Sequence, residues 1–206
     1  MINKNFLNEA SLLQLSEEVF STVINDGRKL NSVENLLTEK IKEAETINFI
    51  LADGLGYENL MSLETSLKDN IKKIINTTFP SSTNVALTTF AMMSHPIDHG
   101  IIGYYMYDKS NFGLINALNW NSENELLLNN DHFKNQESIW KKFKLFNTHV
   151  ANFQPENLVG SSLSNFLYEK SSTVPYKTIE NLIEMLSEAS FLENRFNFIY
   201  YPKIDI

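Results

Sequence analysis

The sequence predicts an α/β fold in which a mostly parallel central sheet carries helices on both faces. Short apolar segments of strand length alternate along the chain with longer segments of helical character. This alternation is typical of parallel strands that are joined by crossover helices. We treat residues 1–206 as one domain, with a helical lead-in over 1–45 and the sheet-forming part over 46–206.

The predicted elements follow from apolar spacing and from capping residues. Helices are predicted at 8–25, 32–43, 57–70, 84–93, 135–145 and 178–192. Ser11 or Asn8 caps the first helix, and Ser32 caps the second with Asn35 in its first turn. Strands are predicted at 47–52, 74–79, 147–153 and 196–201, and a hairpin is predicted from 101–107 and 114–118.

Composition and charge exclude several classes of protein. The chain has no cysteine, so disulfides, thiolate zinc sites and cysteine nucleophiles are excluded. Its net charge is −8 and its basic residues are scattered, which argues against binding to nucleic acid. No signal-peptide pattern and no run of roughly 18 apolar residues is present. We therefore expect a cytoplasmic protein that acts without nucleic acid or membrane.

Asp53 is the first candidate for chemistry. It follows the apolar run 47–52 and is followed by Gly54-Leu55-Gly56, the pattern of a strand that ends in a turn. A carboxylate in that place is a good oxygen ligand for a metal. Asp-Gly is also ordinary turn chemistry, and on these residues alone the turn is the favoured interpretation.

Thr83 is the second candidate. Pro80, Ser81 and Ser82 precede it, and an apolar helix follows. The free amides and the positive dipole end of such a helix favour an anion, and a threonine hydroxyl there can act as a nucleophile. A simple helix cap is the alternative, and these residues alone favour it.

The histidine pair His95 and His99 and the aspartate Asp205 are further candidates. His95 and His99 are four residues apart, but Pro96 and Gly100 favour a structural loop, so neither histidine is assigned as a metal ligand. Asp205 follows the last predicted strand, as Asp53 follows the first. The chemistry of such sheets lies at the carboxyl ends of the strands, so we expect Asp53, Thr83 and Asp205 to converge at one edge.

Taken in order, these motifs resemble the type I phosphodiesterase/nucleotide pyrophosphatase family of the alkaline phosphatase superfamily. The resemblance runs from about residue 47 to residue 206. Its most specific parts are Phe-Pro-Ser-Ser-Thr at 79–83, Ala-Leu-Thr-Thr at 86–89, and Pro96 with His-Gly-Ile-Ile-Gly-Tyr at 99–104. Asn116, Leu118 and Trp120, and the ending Tyr201-Pro202-x-x-Asp205, are similar to further family stretches.

The resemblance implies a hydrolase of phosphodiester or pyrophosphate bonds that acts on a small phosphate-ester substrate. Asp53 matches the family's first metal-binding aspartate, Thr83 matches the nucleophile that also contacts the metals, and Asp205 matches a later metal-binding aspartate. Two divalent metal ions, with zinc as the family's metal, are implied. Thr78 is a rival nucleophile because it directly precedes Phe79-Pro80. Thr83 is preferred because its distance from His99 keeps the family's spacing without a gap.

The sequence departs from the family pattern in two places. Met92-Met93 replace a usual Thr-Gly, which we expect to alter helix packing rather than chemistry. The family's remaining metal ligands follow the position of Asp205, so we expect this chain to be a fragment of the alkaline-phosphatase-like fold, incomplete at its C-terminus. As given, the chain is expected to bind metal weakly and to show no appreciable turnover.

Two alternative functions remain beside hydrolysis. The chain could be a non-catalytic remnant of the same fold that acts as a binding or interaction protein, and metal content would separate this from an enzyme. An unrelated nucleotide-binding module is a weaker alternative, because the chain has no Gly-x-Gly-x-x-Gly loop. The substrate stays open among nucleotide, lipid headgroup, phosphonate and sulfate ester, and the oligomeric state is not predicted.

Overall fold

A computed structural model describes residues 10–24, 36–108, 113–117, 136–169, 171–188 and 195–204. The helices are α1 (Leu12–Val23), α2 (Glu39–Lys42), α3 (Tyr57–Ser62), α4 (Thr83–Met92), α5 (Pro96–His99), α6 (Ile139–Leu145), α7 (Ser162–Leu167) and α8 (Ile179–Leu186). The strands are β1 (Ile47–Ala52), β2 (Tyr105–Asp108), β3 (Gly113–Asn116), β4 (Val150–Pro155), β5 (Ser172–Tyr176) and β6 (Phe196–Tyr201). Short 3₁₀ helices lie at Ser66–Asn70 and Glu156–Leu158.

Four parallel strands form the central sheet in the order β1-β6-β4-β5. Ile47 of β1 and Val150 of β4 both lie opposite Phe196, so β6 is paired on both sides. The prediction of an α/β fold with a parallel sheet is confirmed. The predicted hairpin is also confirmed, because β2 and β3 pair antiparallel with Tyr105 opposite Asn116.

Side chains of the sheet alternate between two cores. Phe196, Phe198 and Tyr200 of β6 point into the larger core, which also holds residues of α1, α4, α6 and α7. Ile199 points to the opposite face, where it packs with Leu182 of α8 and Tyr176 of β5. Helices therefore cover both faces of the sheet, as the sequence predicts.

Aromatic rings fill the centre of the larger core. The ring of Phe198 lies 5.3 Å from the rings of Phe90 and Trp140, measured between centroids, and 5.9 Å from that of Phe49. Phe90 belongs to α4, so these contacts fix that helix against the sheet. The first residue of α4 is Thr83, so the same packing determines where that residue lies.

Several helix boundaries agree with the capping residues. Ser11 caps α1, and its hydroxyl accepts a hydrogen bond from the Gln14 amide at 3.3 Å. At the end of α4, Met93 adopts the left-handed conformation with φ of 49°. Glycine usually occupies such a helix end, which fits the glycine that the family resemblance implies at this position.

Two predicted elements are wrong in their extent or type. The helix predicted at 57–70 breaks at Leu63, whose backbone is extended, because Thr65 caps a separate 3₁₀ helix by accepting a hydrogen bond from the Leu67 amide. The strand predicted at 74–79 does not form, and this segment contributes one isolated bridge, between Asn76 and Ser11. Phe79 in this segment is 89% exposed, so apolarity there does not report burial.

Other boundaries differ in smaller ways. The second predicted helix is represented by α2, while its predicted caps Ser32 and Asn35 lie outside the described residues. The predicted loop around Pro96 contains the one-turn helix α5, since proline is accepted at the first helical position and Gly100, with φ of 78°, ends the turn. Strand β5 and helix α7 were not predicted.

Within the described ranges, no helix is long and apolar enough to cross a membrane.

The stacked aromatic core should dominate stability. Phe198→Ala removes a side chain with 0% exposure, and we expect it to cost about 3–5 kcal/mol of unfolding free energy. Ile50→Ala is the control on the neighbouring strand β1, where the side chain is 63% exposed, and it should cost less than about 1 kcal/mol. Urea titration of both variants measures the difference, and equal losses would show that the aromatic cluster does not hold the sheet.

Candidate active site

Asp53 lies at the carboxyl edge of the sheet, directly after β1. Its amide donates a hydrogen bond to the Tyr201 carbonyl at 2.9 Å, which extends the pairing with β6 by one residue. Gly54 then turns the chain with φ of 79°, a conformation that side chains other than glycine rarely adopt. Asn59 of α3 donates to the Gly54 carbonyl at 3.1 Å and closes the turn. The backbone of Asp53 is therefore held from both sides.

Thr83 is the first residue of α4. The first hydrogen bond within the helix runs from the Ala86 amide to the Ser82 carbonyl, at 3.0 Å. Ser82 occupies the cap position, but its side chain makes no cap hydrogen bond. A simple capping role for this segment would require the Ser82 oxygen to accept a hydrogen bond from an amide of the first turn. The structure shows no such bond.

Asp53 and Thr83 meet although 30 residues separate them. The Thr83 hydroxyl donates a hydrogen bond to Asp53 Oδ2 at 2.8 Å, and both side chains are half-buried. The sequence analysis identified these two residues as candidates from two separate motifs. The structure places them in direct contact at the carboxyl edge, where the parallel sheet predicts the chemistry to lie.

Tyr200 is a third member of this contact that the sequence analysis missed. Its hydroxyl donates to the same oxygen, Asp53 Oδ2, at 2.7 Å. The strand register contains a signal for it, because Tyr200 lies opposite Leu51 and Asp53 is two residues beyond Leu51 on the same face. The sequence analysis places Tyr200 only within the predicted strand 196–201.

A cavity of about 350 Å³ opens beside Asp53 and Thr83. Four leucines form its apolar wall, namely Leu87, Leu158, Leu163 and Leu167. Its other lining residues are Gln154, Asn157, Ser161, Ser164, Tyr168, Tyr200 and Pro202. Among these lining residues the only ionisable carboxyl group is that of Asp53, and none is lysine or arginine.

The polar wall of the cavity is held rigid by hydrogen bonds. Gln154, which is 1% exposed, accepts a bond from the Ser164 hydroxyl at 2.8 Å and donates to Asn152 at 2.6 Å. Asn152 in turn donates to Thr173 at 2.8 Å. Burial raises the pKa of Tyr168, so this neighbouring hydroxyl stays protonated at neutral pH. The wall presents oriented neutral groups to whatever occupies the cavity.

Thr78, the rival nucleophile, lies elsewhere. Its hydroxyl donates to the Pro80 carbonyl at 2.8 Å, and it is not part of the cavity lining. Asp205 lies outside the described residues, so its convergence with the other two stays a prediction. The described chain reaches Ile204, three residues after β6, and Pro202 in this segment lines the cavity.

His99 has a structural role, as the sequence predicts. It is fully buried, its Nδ1 accepts a hydrogen bond from the Ile101 amide at 3.1 Å, and its Nε2 lies 2.9 Å from the Thr89 hydroxyl. Since Nδ1 accepts, Nε2 carries the proton and donates it to Thr89. Both ring nitrogens are thereby engaged inside the protein.

Asp53 and Thr83 fit two positions of a divalent metal site, because carboxylate and hydroxyl oxygens are suitable donors. In the part of the chain that the structure describes, no group of three or more histidine, aspartate or glutamate side chains is placed to hold a metal. The donor set described here is therefore two oxygens, and further ligands would have to come from other residues.

Comparison with known families agrees with this geometry. The family model described as type I phosphodiesterase / nucleotide pyrophosphatase matches residues 49–198, most of the chain. The protein therefore belongs to the type I phosphodiesterase/nucleotide pyrophosphatase family, whose members are hydrolases of phosphodiester or pyrophosphate bonds and generally bind divalent metals. The match begins at the third residue of β1, four residues before Asp53, and includes α4 and the hairpin. No curated protein matches the chain.

The turn after Asp53 should be sensitive to side chains. Gly54→Ala forces a Cβ into the left-handed region, so we expect a loss of about 1 kcal/mol in unfolding free energy. Gly56→Ala is the matched control, because Gly56 has φ of −74° and a Cβ there would meet nothing within 4 Å. The control loses only the preference for glycine at the N-cap of α3, so it should cost less than Gly54→Ala. Equal losses in thermal or urea unfolding would contradict the role of the turn.

Proposed function

We propose that this protein hydrolyses phosphodiester or pyrophosphate bonds of small molecules through Thr83 as the nucleophile, with the help of divalent metal ions. The hydrogen bond of 2.8 Å from the Thr83 hydroxyl to Asp53 Oδ2 carries the proposal. It unites the two residues that match the family's nucleophile and first metal ligand. It also orients a hydroxyl beside a cavity that can receive a substrate.

The chemical step is a displacement at phosphorus. Thr83 Oγ1 forms a bond to phosphorus while one ester or anhydride P–O bond breaks, and the departing oxygen takes a proton from water. The proton of the Thr83 hydroxyl is lost to solvent as Oγ1 attacks, while the Asp53 carboxylate stays ionised and keeps Oγ1 in place through the contact at Oδ2. Water then cleaves the phosphothreonine: its hydroxyl group bonds to phosphorus, the Thr83 Oγ1–P bond breaks, and Oγ1 takes the remaining proton of the water, so that the enzyme is regenerated.

The start of α4 stabilises the negative charge of the substrate. The helix has ten residues, and Ser82 makes no side-chain cap bond to its first turn. The amides of that turn and the positive end of the helix dipole lie at Thr83, the first helical residue. Amides at a helix N-terminus bind phosphate oxygens and stabilise the charge that grows on them in the transition state. Thr83 therefore occupies a position where nucleophile and anion stabilisation coincide.

Divalent metals bound at Asp53, Thr83 and Asp205 would supply positive charge that favours loss of the Thr83 proton and offsets the charge of the phosphate. We propose zinc as the metal, following the family. Asp53 Oδ1 is the oxygen best placed to serve a cation, because the described hydrogen bonds of Thr83 and Tyr200 both go to Oδ2.

The cavity supports a small substrate. Its volume of about 350 Å³ and its wall of leucines suit one organic group attached to the phosphate. A polymer such as nucleic acid would need a basic track, and the net charge of −8 argues against one. We accordingly propose a cytoplasmic enzyme that acts on small phosphate esters without nucleic acid or membrane as a partner.

Thr83→Ala should abolish turnover. We expect kcat to fall roughly 10³-fold or more, because the nucleophile is lost while the Asp53 carboxylate remains. Thr83→Ser keeps a hydroxyl and should retain measurable turnover. The measurement is release of nitrophenolate from bis(4-nitrophenyl) phosphate by the complete gene product, including any residues encoded after Ile206, with added zinc or manganese.

Thr78→Ala is the control for the nucleophile. It removes only the hydrogen bond to the Pro80 carbonyl, so kcat should stay within about tenfold of the wild-type value. Loss of turnover in Thr78→Ala with survival in Thr83→Ala would make Thr78 the nucleophile. If the wild-type protein neither turns over nor binds metal, a non-catalytic binding protein of the same fold becomes the better interpretation.

Turnover should also depend on metal and on Asp53. Dialysis against EDTA should remove activity, and added divalent metal should restore it. Asp53→Asn weakens the ligand, so we expect the metal concentration for half-maximal activity to rise at least about tenfold. Unchanged metal dependence in this variant would place the metal site elsewhere.

A further inference from the structure

We infer that Tyr200 is a positioning residue that orients the Asp53 carboxylate for its cation. This inference rests on the proposed function, since it assigns a role to Tyr200 in the same site. Tyr200 is 6% exposed, and its hydroxyl lies 2.7 Å from Asp53 Oδ2. Tyr200 does not need to touch the phosphate or the nucleophile to act in this way.

The side-chain hydrogen bonds of Asp53 involve one of its two carboxylate oxygens. Oδ2 accepts from the Tyr200 hydroxyl and from the Thr83 hydroxyl, and no described residue donates to Oδ1. A carboxylate on an exposed turn would rotate about its Cα–Cβ and Cβ–Cγ bonds. Two donors on one oxygen hold it in one orientation and leave Oδ1 for a metal.

Tyr200 matters most when Thr83 reacts. As Thr83 Oγ1 bonds to phosphorus, its proton leaves and it can no longer donate the same hydrogen bond to Oδ2. Tyr200 takes no part in that displacement and keeps its hydroxyl proton. One fixed donor therefore remains on Oδ2 throughout the reaction, and the ligand oxygen Oδ1 stays in place while charge develops.

The backbone of Tyr200 is itself fixed by the pairing of β6 with β1. Tyr200 lies opposite Leu51 in that pairing, and the Asp53 amide bonds to the carbonyl of the next residue, Tyr201, at 2.9 Å. The phenol ring packs in the larger core, so the strand and the core together present its hydroxyl to Asp53.

The test compares Tyr200→Phe with Tyr176→Phe. Each variant keeps its ring in the core and loses one tyrosine hydrogen bond of 2.7 Å. Tyr200→Phe loses the bond to Asp53 Oδ2, whereas Tyr176→Phe loses a bond to the backbone carbonyl of Tyr200 and none to Asp53. Zinc or manganese affinity is measured by calorimetry on the complete gene product, together with the thermal midpoint. We expect Tyr200→Phe to weaken metal binding roughly tenfold and Tyr176→Phe to leave it within about twofold, with similar small losses of thermal stability.

The dependence of kcat on metal concentration distinguishes a role of Tyr200 in orienting Asp53 from a role in stabilising the fold alone. At saturating metal, Tyr200→Phe should recover most of its kcat, because the ligands and the nucleophile are intact. Adding Tyr200→Phe to Asp53→Asn should cause no further loss of metal affinity, because the carboxylate that Tyr200 orients is already gone.

Each outcome decides the inference separately from the proposed function. If Tyr200→Phe binds metal as the wild type does while Asp53→Asn does not, the inference is overturned and the proposed function stands. If Thr83→Ala keeps its turnover while Tyr200→Phe binds metal weakly, the nucleophile is wrong and the role of Tyr200 stands. A wild-type protein that binds no metal overturns both.

Discussion

The parallel pairing of β1 with β6 is the constraint on which the candidate site depends. It sets Leu51 opposite Tyr200 and Ala52 opposite Tyr201, and the Asp53 amide continues the pairing beyond the last residue of β1. Successive side chains of a strand point to opposite faces, so a shift of one residue would turn Asp53 away from Thr83 and Tyr200. The aromatic rings of the larger core prevent such a shift, because Phe49 stacks on Phe198 across this pair.

The site combines a half-buried carboxylate with an apolar core, and hydrogen bonds make that combination stable. A carboxylate loses hydration when it is buried, which costs free energy unless donors replace the water. Thr83 and Tyr200 supply two such donors to one oxygen. Elements that are anchored in the core thus hold the Asp53 carboxylate in one orientation. The proposed function needs such an orientation, because fixed groups lower the cost of reorganisation during a reaction.

Local sequence patterns placed two residues of the candidate site at the ends of elements. Asp53 became a candidate because an apolar run stops at Asp-Gly, and Thr83 because a Pro-Ser segment opens an apolar helix, but their proposed roles came from the family resemblance. Tyr200 could not be found in this way, since its role depends on strand register, a pairing between residues about 150 positions apart. Strand β5 and helix α7 were not predicted because their sequences mix polar and apolar residues without a clear period, so only their packing in the folded protein identifies them. The strand predicted at 74–79 was wrong for the same reason, since its apolar residues Ile74 and Phe79 are exposed and find no partner strand among the described residues.

Detection of a covalent intermediate would show directly whether Thr83 is the nucleophile. The complete gene product, turning over a phosphodiester in the presence of divalent metal, would be quenched in acid, digested and analysed by mass spectrometry. The account predicts that the peptide containing Thr83 carries the phosphoryl ester, with fragmentation placing it on Thr83 itself. An enzyme that turns over with the ester on Thr78, or with no modified threonine and inversion of configuration at phosphorus, would contradict it.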